Sequence, residues 1–318
     1  MIFLGVDHGT SAIRFAVMSD DLVRLFEIPR AKAGAMTLDE LQRFIENNLG
    51  MSLSEIDLAC LTYSMGDGIS EICDLRFVQN RGVLETSGVG EKTNAGTKVF
   101  DLFAKDLCPA ILLPGLHQNV PVTDARMQHF SHQASPEKIG IAFHAYSLGH
   151  RRFILSDIGS NTVTMAVLNN QILGAVDAAI FAPGTRHGPL DVNAIRAVDS
   201  GTQTANYAFS SAGVGDDKKA LAFFVAMEIS ALDVLMKDYS ASDYDILVAG
   251  SGGEEIEVRR EISRLLQKPV ESLGNRAAAI GCAEIARAVI FGEKSIFGIP
   301  VNFDLTAWEI RQGYGLEI

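Results

Sequence analysis

Two stretches of the chain, 150 positions apart, share the strongest pattern of apolar and polar residues. Residues 3–18 predict an apolar strand, a polar turn at 7–11 and a second strand. Residues 153–168 align with them without a gap and predict the same hairpin. Identical residues recur at five positions, where Phe3, Asp7, Gly9, Ala16 and Val17 return as Phe153, Asp157, Gly159, Ala166 and Val167. We therefore predict a repeated β-hairpin at the start of each half of the chain.

The remaining pattern of the first half alternates between helices and strands. In order, it predicts a strand over 21–28, a helix over 38–48, a strand over 58–63, a helix over 99–106 and a strand over 109–113. Thr37 and Glu40 have the spacing of a capping box at the start of the first helix. Residues 69–98 have no pattern of a regular element, and the polar stretch 122–135 predicts a helix with its loop.

The second half continues in the same way after its hairpin. Its pattern predicts a strand over 171–180, a helix from Asp191 and a long helix over 216–239. The apolar strand 245–249 follows and leads through a glycine turn into another helix. An alanine-rich helix, capped by Asn275, runs through Val289, and a short helix over 306–312 contains Trp308. We therefore predict an α/β protein with two domains, 1–150 and 151–318.

Composition narrows the class of partner. The 318 residues suffice for two domains, and 47% hydrophobic residues allow each a buried core. The net charge of −12 disfavours nucleic acid and anionic membranes as partners. Four widely spaced cysteines without a CxxC pair indicate reduced thiols rather than a metal cluster. The longest apolar run contains Glu228 and Asp233, which favours a core helix over a membrane span, and we expect a cytoplasmic protein without a signal peptide.

The hairpin turns carry the residues expected at a polyphosphate site. Glycine lets backbone N–H groups crowd an anion, and neighbouring hydroxyls and amides add donors. The candidate phosphate-binding residues are Gly9, Thr10, Ser11, Gly159, Ser160 and Asn161. Asp7 and Asp157 are candidates to hold a hydrated Mg²⁺. Acidic-glycine turns also occur in ordinary hairpins, so each turn alone is a weak signal. Two turns predict domains that face each other across one magnesium-bound polyphosphate.

A glycine turn in the second half is the candidate adenosine site. The strand 245–249 ends in Gly250, Ser251, Gly252, Gly253 and Glu254 and passes into a helix. A backbone without side chains allows a nucleoside to lie against it, and a helix N-terminus favours an anion. Glycine-rich turns between a strand and a helix are common, so this signal gains weight only as the third element after two hairpins.

The order of these elements resembles the superfamily of sugar kinases, Hsp70 chaperones and actin. That resemblance implies duplicated ribonuclease H-like (actin-like ATPase) domains, each a mixed five-stranded sheet flanked by helices, with a central nucleotide cleft. Within the superfamily, residues 116–121 (LHQNVP), 143–147 (FHAYS), 184–191 (GTRHGPLD) and 250–254 (GSGGE) resemble FHQTMP, FHGTS, GTRxGxxD and GIGEN of acetate kinases. The whole chain, opening GVDHGTSAIRFAV, is similar to the archaeal methanogenesis marker protein 12 family, which implies a methanogen as its source.

The acetate kinase resemblance implies catalytic roles for two residues. Arg186 matches the arginine that steadies the transferred phosphoryl group, and His144 matches the histidine that donates to it. Glu254 matches the glutamate near the metal. Two departures weaken the match, because Leu113 stands where acetate kinases have an acid and Thr62 stands near the place of a substrate arginine.

Two functions remain open at this point. The first is an ATP-dependent kinase acting on a small carboxylate that enters near residues 64–68. The second is a nucleotide-driven switch that hydrolyses ATP slowly while it assembles or activates a methanogenesis enzyme. A degenerate fold that binds no nucleotide is the third, less favoured alternative. The likeness to acetate kinases also implies a homodimer formed through the second domain.

Overall fold

The computed structural model describes residues 1–20, 22–63, 68–84, 94–120 and 122–305. The strands are β1 (Ile2–Asp7), β2 (Ala12–Ser19), β3 (Leu22–Pro29), β4 (Leu58–Leu61), β5 (Ile72–Asp74), β6 (Ala110–Leu112), β7 (Leu116–His117), β8 (His132–Ala134), β9 (Arg152–Ile158), β10 (Thr162–Leu168), β11 (Gln171–Asp177), β12 (Asp245–Ala249), β13 (Glu271–Ser272), β14 (Ser295–Ile296) and β15 (Ile299–Asn302). The helices are α1 (Arg30–Ala35), α2 (Leu38–Leu49), α3 (Asn94–Phe103), α4 (Glu137–Ser147), α5 (Val192–Asp199), α6 (Ala205–Ser210), α7 (Lys218–Asp238), α8 (Gly250–Glu254), α9 (Ile256–Leu266) and α10 (Ala277–Ile290).

The first sheet is built on the first predicted hairpin. Its strand order is β14-β15-β5-β6-β4-β1-β2-β3, with β1 antiparallel to β2 and parallel to β4. This sheet has eight strands where five were expected. The additions are β5 and the late segments β14 and β15, which are too short to show a period of two in the sequence. β15 returns the chain to the first sheet by pairing with β5, Val301 opposite Ile72.

The second sheet repeats the arrangement. Its order is β11-β10-β9-β12-β13, with β9 antiparallel to β10 and parallel to β12. β1 and β9 therefore occupy equivalent central places, each with its hairpin partner on one side and a parallel strand on the other. The predicted α/β class and both predicted hairpins are confirmed.

Helices α4 and α10 pack closely because glycines face each other. A Cβ at Gly281 would lie 1.8 Å from the carbonyl oxygen of Gly140, and one at Gly5 of β1 would lie 1.9 Å from the carbonyl oxygen of Ala279. No other residue fits at such distances. These contacts hold the first turns of α4 and α10 beside β1.

Several local predictions agree with the structure. The capping box at α2 is present, with Thr37 accepting from the backbone N–H of Glu40. The long helix α7 and the strand β12 lie where they were expected. Asp191 caps α5 by accepting from the N–H of Ala194. None of the helices that the structure describes is both long and apolar enough to cross a membrane.

Other local predictions are wrong. Residues 122–135 form a short 3-10 turn at Met127–His129 and the strand β8 rather than a helix. α3 begins at Asn94, five residues before the predicted start. Asn275 does not cap α10, because its side chain donates to Glu254 instead. The predicted helix at 306–312 lies outside the described residues, and the domain boundary at 150 stays a prediction.

Candidate functional site

Both hairpin turns face one cavity. It has a volume of about 440 Å³ and lies at the ends of β1 and β9. Asp7 and Asp157 both line it, together with the six predicted phosphate-binding residues Gly9, Thr10, Ser11, Gly159, Ser160 and Asn161. The volume is in the range of sites that bind small molecules and cofactors. The repeat in the sequence therefore brings two equivalent turns to one space.

Asp7 ends β1 and is 3% exposed. Its Oδ2 accepts from the Arg14 guanidinium at 3.2 Å, whereas its Oδ1 is buried and has no hydrogen-bond partner among the described residues. Burial raises the pKa of Asp7 to about 6; Glu137 adds to the rise, and Arg14 and Lys138 partly offset it. A carboxyl group with this pKa changes its protonation state close to neutral pH.

Asp157 ends β9 and is paired differently. Its Oδ2 lies 2.7 Å from Nζ of Lys138, which also lies 2.8 Å from Oε1 of Glu137. The Lys138 side chain is 8% exposed. Burial disfavours the ammonium, but the two carboxylates outweigh this effect and raise the pKa of Lys138. The first turn of α4 thus places a buried cation between two acids of the cavity.

Residues 184–188, the predicted GTRxG segment, support the second turn through backbone hydrogen bonds. The backbone N–H groups of Arg186 and His187 both donate to the carbonyl oxygen of Ser160, at 3.0 and 2.9 Å, and that of Thr185 donates to Gly159 at 2.9 Å. The His187 ring lines the cavity. The Arg186 side chain is exposed and does not line the cavity. The predicted catalytic arginine is therefore not brought to the two carboxylates.

His144 also lies away from the cavity. It is on the last turns of α4, and its Nδ1 lies 3.1 Å from Oε1 of Glu284 on α10. It is not among the residues that line the cavity. The histidine of the FHAYS segment therefore links α4 to α10, because the position of His144 on its helix directs the ring toward α10. The residue of α4 that does reach the cavity is Lys138, near the other end of the helix.

The glycine turn after β12 contributes through part of its length. Gly250 and Ser251 line the cavity. Gly250 has φ +77°, and a Cβ there would lie 2.4 Å from Oδ1 of Asp157, so only glycine fits. Gly252 and Gly253 are buried and do not line the cavity.

Glu254 does not line the cavity. Its carboxylate accepts from the backbone N–H of Asn275 at 3.1 Å and from the amide of the same residue at 2.7 Å. Asn275 does line the cavity. Glu254 thus holds a cavity residue in place, and the structure does not bring it to Asp7 and Asp157.

Sequence reasoning missed most of the charged residues of the cavity. These are Arg14, Arg30, Glu137 and Lys138, and the rings of His8 and Tyr63 also line it. Arg14 had a signal, since it interrupts an otherwise apolar strand, AIRFAVM. The sequence gives no such signal for the other five residues. Arg30 begins α1, Glu137 and Lys138 begin α4, His8 lies in the first turn, and Tyr63 follows β4.

His8 has an unusual environment within the cavity. Its ring packs edge-on against Tyr63, with ring centroids 5.7 Å apart. Both ring nitrogens are buried, and neither has a hydrogen-bond partner in the part of the chain that the structure describes. Burial, reinforced by the Arg30 charge, lowers the pKa of His8 to about 3. The imidazole is therefore neutral at physiological pH.

The donor set fits a hydrated magnesium ion rather than a closed metal cage. Among the described residues, no three His, Cys, Asp or Glu side chains come together as ligands. Mg²⁺ commonly keeps several waters and binds through one or two carboxylates and the phosphates of a substrate. Asp7 and Asp157 are two such carboxylates on one cavity, and Oδ1 of Asp7 has no hydrogen-bond partner among the described residues.

Comparison with solved structures shows the fold. A propionate kinase from Francisella tularensis superposes with a TM-score of 0.56 over 90% of this chain and 99% of that protein, at 10% identity. An acetate kinase from Porphyromonas gingivalis superposes with a TM-score of 0.53 over 91% and 99%, also at 10% identity. The chain has the two-domain fold of the actin-like ATPases, as the order of its elements predicted.

Comparison of sequences shows the family. No family model matches the chain. A UPF0285 protein of Methanosarcina acetivorans is 47% identical over 326 residues, which cover 95% of this chain and 100% of that protein. Further UPF0285 proteins come from other methanogens of the genera Methanosarcina and Methanococcus. The chain therefore belongs to the UPF0285 family of methanogens.

Proposed function

We propose that this protein binds a magnesium nucleoside triphosphate, ATP in the first instance, across the cavity and hydrolyses it slowly as a conformational switch. The observation that carries the proposal is that Asp7 and Asp157, with both predicted phosphate-binding turns, line one space. Phosphates between the turns would contact both sheets. Loss of the terminal phosphate would then change the contacts that hold the two hairpins together.

The side chains around the carboxylates support binding and slow hydrolysis. The backbone N–H groups and hydroxyls of the turns bind phosphate oxygens, and Lys138 offers a buried cation. A magnesium ion held by Asp7 and Asp157 would neutralise phosphate charge. Because the relatives come from methanogens, we place the partner of the switch among methanogenesis enzymes.

A kinase acting on a small carboxylate is the second candidate. It is favoured by Arg30 and His8, which line the cavity beside the first turn and offer a cation and a neutral imidazole. It is disfavoured by Arg186 and His144, whose side chains do not line the cavity. The predicted acceptor entrance at 64–67 lies outside the described residues.

Calorimetry and turnover test the proposal together. We expect Mg–ATP to bind the wild-type protein, and Asp157→Asn to bind it about ten- to a hundredfold more weakly, since a charged ligand contributes about 1.5–3 kcal/mol. Asp199→Asn, an exposed change outside the cavity, is the matched control. Absence of heat at millimolar Mg–ATP would overturn the proposal. Slow hydrolysis that short carboxylates do not accelerate supports the switch, whereas acceleration by one carboxylate selects the kinase.

A further inference from the structure

β3 and β11 are equivalent strands of the two halves, but only β11 has a covered edge. Each follows its hairpin and lies at one end of its sheet. Asp124 donates its backbone N–H to the carbonyl oxygen of Leu173 at 2.8 Å, and the side chain of Gln133 accepts from the N–H of Ala175 at 3.3 Å. These contacts cover the edge of β11. No strand that the structure describes pairs with the outer edge of β3.

The exposure of the side chains differs in the same way. In β3, Leu22, Val23 and Leu25 are 75%, 41% and 43% exposed, whereas residues 172–175 of β11 are buried. A strand with an open edge and exposed aliphatic side chains is a template for pairing with another chain. The second half of the molecule therefore shows the kind of cover that β3 lacks.

The usual protection of an edge strand is weak in β3. Proteins shield such strands by short length, by proline or by charged side chains. β3 has eight residues, and its proline, Pro29, stands at the last position. Its charged side chains are engaged within the chain, since Arg24 donates to the carbonyl oxygen of Leu49 and Glu27 lies 3.2 Å from Arg276.

The hydrogen-bond pattern shows which backbone groups of β3 can pair. The N–H of Arg30 donates to the carbonyl oxygen of Ser11 at 3.0 Å, and the pairing of β2 with β3 continues from there without a shift. Hydrogen-bonded and non-hydrogen-bonded pairs alternate along an antiparallel ladder. The N–H and C=O groups of Val23, Leu25 and Glu27 therefore point away from β2, along the open edge.

A second copy of β3 fits this edge in one antiparallel register. When Leu25 lies opposite Leu25 of the other copy, residues 22–28 of both copies pair, Val23 faces Glu27 and Arg24 faces Phe26. No like charges are then opposite each other, which would be destabilising.

The neighbouring registers are worse. Moving the axis to Arg24 shortens the overlap and places that arginine opposite itself. Moving the axis to Phe26 places Val23 opposite Pro29, which has no N–H to donate.

We propose that β3 is the interface of a homodimer, in which two copies pair their β3 strands antiparallel about a two-fold axis at Leu25. The two first sheets would then form one continuous sheet. A two-fold axis uses the same surface of both copies and is the commonest symmetry of soluble homo-oligomers. The interface lies in the first half of the chain, unlike the dimer that the acetate kinase resemblance implies. The inference goes beyond the proposed function, because strand pairing needs no nucleotide.

Disulfide trapping tests the register. In Leu25→Cys the new thiols would face each other across the axis, where Cα atoms of a hydrogen-bonded pair are about 5.5 Å apart, within the range of a disulfide. Leu22→Cys is the matched control, because residue 22 is more exposed but its two copies would lie about 20 Å apart along the strands. Under mild oxidation we expect a covalent dimer from Leu25→Cys, and none from Leu22→Cys or from the wild type with its four native cysteines. No dimer from Leu25→Cys, or equal trapping of both variants, would overturn the proposal.

Sedimentation equilibrium of the nucleotide-free protein measures the association itself. We expect a dimeric wild type, and at least about tenfold weaker dimerisation of Leu25→Lys, since two ammonium groups would face each other at the axis. Val234→Lys, at a 69% exposed position on α7 in the second half, is the control and should remain dimeric. Thermal melting establishes that both variants are folded. A monomeric wild type, or a dimer that Val234→Lys dissociates and Leu25→Lys does not, would overturn the proposal.

Discussion

The two hairpins share a sequence pattern but hold their aspartates in different ways. Asp7 is bonded within its own hairpin, to Arg14 of β2, and keeps one bare oxygen. Asp157 is bonded to Lys138 of α4, an element outside its hairpin. Burial raises the pKa of Asp7 to about 6, and Oδ2 of Asp157 lies 2.7 Å from the buried ammonium of Lys138. A repeated motif thus places its two aspartates in different electrostatic surroundings on the same cavity.

Residues outside the turns hold both of them from behind. Arg30 supports the first turn, because its guanidinium donates to the carbonyl oxygens of His8 and Gly9 and its backbone N–H donates to that of Ser11. Residues 185–187 support the second turn through their backbone N–H groups, and the hydroxyl of Thr185 and the ring of His187 add hydrogen bonds to it. Backbone and side-chain donors therefore support each turn.

The largest expected loss of stability comes from breaking the ion pairs beside the second hairpin. Lys138→Met would leave Asp157 and Glu137 buried without their cation, and removing one partner of a buried ion pair costs about 3–5 kcal/mol of unfolding free energy. Urea denaturation measures the loss. The control is Lys218→Met, which removes exposed ion pairs to Glu255 and Glu257 and should cost less than about 1 kcal/mol. Equal stability of Lys138→Met and the wild type would contradict the pairing described here.

A smaller effect on stability, which depends on pH, comes from the carboxyl group of Glu228 near the second hairpin. It is fully buried on α7 and accepts from the N–H of Ala182 at 2.9 Å. Burial raises its pKa from 4.5 to about 8, although hydrogen bonds from Thr164 and Ala182 oppose the rise. The folded state therefore binds more protons than the unfolded state between these values, and stability falls as the pH rises from about 4.5 to 8.

Glu228→Gln isolates this contribution. The variant should lose a pH-dependent term on the order of 3 kcal/mol, so that its unfolding free energy is flatter between pH 5 and 9 than that of the wild type. Denaturation at a series of pH values checks it. Parallel pH profiles of the two proteins would show that Glu228 does not titrate in this range.

Asp7, in the first hairpin, changes the stability with pH in the same direction as Glu228 but by less. Its pKa is raised from 3.8 to about 6, so the aspartate adds stability at low pH that is lost as the pH rises through 6. Asp7→Asn should match the wild type near pH 4 and be about 2–3 kcal/mol more stable at pH 7.5 without nucleotide. A variant less stable than the wild type at pH 7.5 would contradict the account.

The smallest effect is expected at Arg186. Its side chain is exposed and does not line the cavity, so Arg186→Ala should change Mg–ATP affinity less than about twofold. Calorimetry on this variant beside Asp157→Asn makes the comparison. A tenfold loss would return Arg186 to the nucleotide site and favour the kinase.

The sequence predicts what lies within one local pattern. The hairpins, the capping box of Thr37 and the turn at Gly250 each follow from a few neighbouring residues. Lys138 and Arg30 could not be predicted, because tertiary packing alone brings the starts of α4 and α1 to the turns. His144 matches its motif locally, but the helix places its ring beside Glu284, so its catalytic role stays a prediction.

A crystal structure with Mn²⁺ and a non-hydrolysable ATP analogue tests the central claim most directly, because manganese replaces magnesium and scatters anomalously. We predict one manganese peak between Asp7 and Asp157, coordinated directly or through one water by each carboxylate, with phosphates bound by both turns. Phosphates that contact a single turn, or a metal bound away from both aspartates, would contradict the claim that the two hairpins form one nucleotide site.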